Sequence, residues 1–152
     1  MKKSKIEIGS WLMLFLGIYT TVMSVLWIFL TEIMFVSDFL WYTGQTFQSY
    51  LENVSTTRFA EMYIITKKLI GIMLLIIGLL IIVINQQAYR KGEKWAWYTL
   101  LLAGGTAWGT FIVYKIIIGY IGISMITFAV GAALVVVAIA LPAKEILSRK
   151  ST

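Results

Sequence analysis

Four charged side chains sit inside or beside otherwise apolar runs of this chain: Glu32, Glu61, Lys67 and Lys115. In a membrane such groups are the usual pointers to function, because each is costly there without a partner. Lys67 shares a helical face with Gly71 and Gly78, and Lys115 shares one with Gly104 and Trp108, at ~100° per residue. Glu32 lies about 31 Å of helix beyond Trp11, and Lys115 about 30 Å beyond Trp95, at ~1.5 Å per residue. All four therefore fall towards one membrane face, none at the midplane. Two chemistries follow: a structural ion-paired cluster, or a site for an anionic headgroup or small anion. Lys68 points about 100° away from the glycine face and reads as a lysine that snorkels to the headgroups.

The chain contains no cysteine and no histidine. That excludes thiol catalysis, disulfides, Cys-type zinc sites and His-ligated haem. No nucleophile–base pair, metal-ligand spacing or phosphate-cradling glycine loop is evident, so no catalytic residue, metal or cofactor is expected.

The elements that must position the four charges follow from composition. The 152 residues are 60% hydrophobic and 13% charged, with a mean hydropathy of +0.87. A soluble domain is nearer half apolar and a quarter charged. Four runs, 11–35, 63–84, 95–118 and 121–141, are long enough for the ~20 largely apolar residues that cross a hydrocarbon core as helix. None alternates with a period of two, so barrel strands are excluded. The expected fold is an all-α membrane protein, a single four-transmembrane-helix bundle over residues 1–152. An outer loop, 37–62, is expected to include a short interfacial helix that rests Trp41, Tyr42, Phe47, Tyr50, Leu51 and Phe59 at headgroup level, or else to dock a partner protein. An inner loop covers 85–94, glycines at 119 and 122 make a tight turn, and Pro142 ends the last helix before a basic tail, 142–152. The apolar stretch after the basic start is too long for a signal peptide and reads as an uncleaved first helix.

Orientation follows from the cations. Lys2, Lys3, Lys5, Arg90, Lys91, Lys94, Lys144, Arg149 and Lys150 fall on one side, against Arg58, Lys67, Lys68 and Lys115. This imbalance predicts that both N- and C-termini are cytoplasmic and that Arg90, Lys91, Lys94, Trp95 and Trp97 anchor the second turn at the inner interface. The net charge of +6 thus reports orientation rather than nucleic acid. Helices in lipid associate through close packing, so small residues mark seams. Gly17 shares a face with Thr21, Ser24 and Thr31; Gly71 and Gly78 recur seven apart; Gly104, Gly105 and Gly109 mark the third span, and Ala129 and Ala133 the fourth.

The stretch Arg90-Lys91-Gly92-Glu93-Lys94-Trp95-Ala96-Trp97 resembles the R-[RK]-G-E-[RK]-W-A-W inner turn of uncharacterised small four-helix membrane proteins of bacteria and archaea. The resemblance covers about a tenth of the chain and implies topology. The sequence therefore predicts a non-catalytic, multi-pass protein of a prokaryotic cytoplasmic (plasma) membrane. Its expected role is a structural, accessory or assembly subunit whose partners are the lipid bilayer and another membrane protein or a second copy. The alternative is a small transporter, channel or lipid- or anion-binding protein that uses Glu32, Glu61, Lys67 and Lys115.

Overall fold

The computed structural model describes residues 4–119 and 123–148, and the regular structure among them is helical. Six α-helices follow in order: α1 (Lys5–Met34), α2 (Val36–Thr43), α3 (Phe47–Glu52), α4 (Thr57–Gln87), α5 (Lys94–Ile118) and α6 (Ile123–Leu147). A short 3-10 turn, Tyr89–Lys91, joins α4 to α5. Helices α1, α4, α5 and α6 are long and apolar enough to cross a membrane, the arrangement of a multi-pass membrane protein.

Local chemistry explains the ends. The Ser4 hydroxyl accepts from the Glu7 N–H at 3.1 Å, a capping interaction that starts α1 six residues before the apolar run. The backbone leaves helical geometry at Leu30, beside Thr31, whose hydroxyl donates back to the Trp27 carbonyl. At the α4–α5 reversal Gly92 adopts φ 81°, a left-handed conformation that favours glycine.

The four long helices form an open ring. Helix α1 packs along α4 on one side and α6 on the other, α6 packs along α5, and α5 meets α4 over a short stretch. The α1–α4 contact is backbone to backbone. A Cβ on Gly78 would stand 2.6 Å from Thr21 Oγ1 and 2.9 Å from Thr21 N, and Gly17 faces Ile82 and the Gly78 carbonyl. Gly71 lies one helical repeat along, against Trp27 and Ile28. The buried hydroxyls of this seam are satisfied within α1: Thr20 donates to Leu16 O at 2.8 Å and Ser24 to Thr20 O at 2.5 Å.

Several expectations need correction. Pro142 does not end the last helix; α6 continues to Leu147. A proline removes the N–H that would bond the carbonyl four residues earlier. Here that carbonyl, Ala138 O, accepts instead from the Tyr89 hydroxyl at 2.6 Å. Gly9 of α1 gives the proline ring room, since a Cβ there would stand 2.8 Å from Pro142 Cγ. Tyr89→Phe is expected to cost about 1–3 kcal/mol by stranding a buried carbonyl. The same change in a Pro142→Ala background should cost much less, because the restored N–H at 142 takes over. Equilibrium unfolding of the four proteins checks this, and equal costs in both backgrounds would contradict it.

Residues 37–62 carry the expected short helix but are more helical than a loop. They hold α2, α3 and the start of α4, and Phe39, Phe47 and Ala60 form a second buried core there. Trp41, Tyr42 and Phe59 are exposed, but Phe47 is buried and packs its ring 4.5 Å from that of Phe39. The span 85–94 is likewise largely helical, with α4 reaching Gln87. Trp97 is not an exposed anchor: it is buried, and its Nε1–H donates to Ile139 O at 3.0 Å, whereas Trp95 is exposed. Two proposed seams also fail within the chain. Gly105 and Gly109 have open space where a Cβ would stand, and Ala129 and Ala133 are exposed. The close approaches in α5 and α6 are Gly104 against Val135 and Gly131 against the ring of Trp108. The turn expected at 119–122 begins at Gly119, with φ 71°, and its remaining residues lie outside the described ones.

Candidate functional site

The buried charges gather where α2 and α3 fold across the end of the bundle opposite the termini. Asp38 stands in the first turn of α2 and Lys115 in the last turn of α5, each placement favourable to its helix dipole. Both are buried, at 1% and 2% exposure, and Lys115 Nζ lies 2.6 Å from each carboxylate oxygen of Asp38. Such a two-point contact satisfies both charges out of water, which a buried pair requires to persist. Phe39 and Phe47 roof this pair by holding α2 against α4, with the Phe39 ring 5.2 Å from that of Tyr63.

Lys67 is buried beside it, at 6% exposure, in a different environment. Its Nζ donates to the Tyr114 hydroxyl at 2.8 Å and lies 3.9 Å from the centre of that ring. Phe35 and Tyr63 present their rings at 4.8 and 5.2 Å. Cation–π contacts of this kind stabilise a desolvated ammonium by about 2 kcal/mol. A hydroxyl and three rings hold the cation in place, yet none of them neutralises it. The buried carboxylate of Asp38 thus contacts Lys115, and among the described residues no carboxylate contacts Lys67.

The Glu32 and Glu61 side chains do not complete the cluster. Both are exposed, and neither forms an ion pair with Lys67 or Lys115. Of the chain's seven acidic residues, Asp38 is the buried one. Lys67 and Lys115 do converge, beside the Tyr114 ring, and Lys115 pairs with Asp38, a residue of the segment expected as the outer loop. The signal was present: Asp38 stands in "FVSDFLW", a polar residue in an apolar segment of helical length.

Two cavities adjoin the cluster, and Tyr114 borders both. The first, about 230 Å³, is lined by Asp38, Tyr42, Phe59, Tyr63 and Ile117 among others. The second, about 370 Å³, is the gap between α4 and α5, with Lys67 at one end and Ile77 at the other. Among the described residues no group of three acidic, His or Cys side chains is placed to hold a metal ion. Four-helix, multi-pass architecture and a buried cationic site at one end of the bundle define the class of this protein. Comparison with known protein families, with curated proteins and with solved structures finds no match for the chain.

Proposed function

We propose that this chain is a non-catalytic protein of a cytoplasmic membrane, with both termini inside, that holds an anionic group against Lys67 at the outer end of its bundle. One observation carries the reading: Lys67 is a buried cation whose contacts are a hydroxyl and three aromatic rings, without a carboxylate. A charge out of water is expensive until an opposite charge pairs with it. An anion arriving at Lys67 meets that need, while the Asp38–Lys115 pair keeps the neighbouring charges balanced. The orientation is supported by the sequence imbalance of cations and, among the described residues, by Lys5 at the start of α1, Arg90 and Lys91 in the turn between α4 and α5, Lys94 at the start of α5 and Lys144 in the last turn of α6.

A second reading, a subunit that docks on another membrane protein or a second copy, is favoured by α5. Gly105 and Gly109 leave an exposed small-residue face there that no other described residue fills. Purification in mild detergent with mass spectrometry of what co-purifies separates the two. The anionic-group reading expects a stoichiometric anionic lipid on the wild type that is lost from Lys67→Met and kept by Lys68→Met. A stoichiometric protein partner without retained lipid would overturn it in favour of the subunit reading.

A further inference from the structure

We infer that the occupant of the Lys67 site is an anionic phospholipid, whose phosphate faces the Lys67 ammonium and whose acyl chain lies in the groove between α4 and α5. The inference rests on the proposed anion site and adds the identity of what enters it. The groove runs from Lys67 to Ile77 on α4, ten residues or about 15 Å of helix. Half of a ~30 Å hydrocarbon core is the same depth, so a chain descending from a headgroup at Lys67 ends at the midplane.

The lining suits that chain. Ile70, Met73, Leu74 and Ile77 on α4 face Ala107 and Phe111 on α5, and Trp27 of α1 closes the back. The polar groups low in the groove are neutralised: Thr106 and Thr110 donate to their own helix, at Leu102 O and Thr106 O. One charged group remains on the lining, at the end where a headgroup belongs. The volume, about 370 Å³, falls in the range of small-molecule sites, ~300–1,000 Å³. The weak α4–α5 contact leaves the groove open along its side, so a lipid enters laterally without the bundle opening. A small anion would use Lys67 and leave this apolar length unfilled.

The test is native mass spectrometry of the full chain in mild detergent, titrated separately with dioleoyl phosphatidylglycerol and with glycerol 3-phosphate as a headgroup without chains. Thr110→Phe narrows the groove from an exposed position on α5. It is expected to weaken phosphatidylglycerol binding about tenfold and to leave glycerol 3-phosphate binding unchanged. Met73→Phe, from the α4 side, should do the same and serves if Thr110→Phe fails to fold. Wild-type phosphatidylglycerol affinity in both folded variants would overturn the acyl-chain inference and leave the anion site standing. Unchanged phosphatidylglycerol binding in Lys67→Met would overturn both.

Discussion

Asp38→Ala is expected to destabilise the fold by about 3–5 kcal/mol, the cost of stranding one member of a buried ion pair. The Lys115 ammonium, at 2% exposure, would lose the carboxylate that contacts it at 2.6 Å through both oxygens. Because Asp38 begins α2, its loss also releases that helix from the end of α5. Replacing both partners by apolar residues of similar size, Asp38→Leu with Lys115→Met, removes the two charges together. That pair should recover most of the lost stability, since hydrophobic replacement of a whole buried pair is often neutral or better. Reversible unfolding in mixed micelles measures the wild type, Asp38→Ala and the double variant. A loss below about 1 kcal/mol for Asp38→Ala, the range of exposed pairs, would mean that water reaches the site.

The other large effect belongs to the lock between α5 and α6. The Trp108 ring fills the position where a Cβ of residue 131 would stand, and it packs 5.7 Å from the Tyr19 ring and 5.9 Å from Phe111. Trp108→Ala is expected to cost about 3–5 kcal/mol through the hole it leaves. Gly131→Ala should cost about 1–3 kcal/mol by forcing the ring aside. The two changes compete for the same space, so they cannot add. With Trp108 already truncated, a side chain at 131 partly refills the hole, and the cycle should show a coupling of about 0.5–3 kcal/mol. Additive costs in the same unfolding assay would contradict the lock.

These two features differ in how far the sequence discloses them. The long helices are legible because composition alone demands a non-aqueous solvent, and uninterrupted apolar length leaves helix as the backbone solution. Lys67 and Lys115 are legible as charges beside glycine faces. Asp38 is legible only as a polar residue in an apolar stretch, because a polar aromatic segment between spans reads equally well as a loop. Its helical state depends on Phe39 and Phe47 finding Tyr63 across the chain. Gly131 is invisible for a similar reason, since the ring that makes glycine necessary there comes from another helix. Conversely, Gly105–Gly109 and Ala129–Ala133 have the spacing of packing motifs but face outward. Spacing identifies a face able to pack and leaves open what it packs against. Pro142 misleads through a local rule: its helix-breaking effect is offset by one hydroxyl, Tyr89, from a distant turn.

Lys67 is proposed to pair with an anionic headgroup. The most direct test is the ratio of phosphatidylglycerol to phosphatidylcholine affinities, with identical acyl chains, for the full-length wild type and Lys67→Met. A charge-assisted contact contributes about 1.5–3 kcal/mol. The wild type should therefore favour the anionic lipid by about tenfold or more, and Lys67→Met should favour neither. The same anionic preference in both proteins would contradict the account.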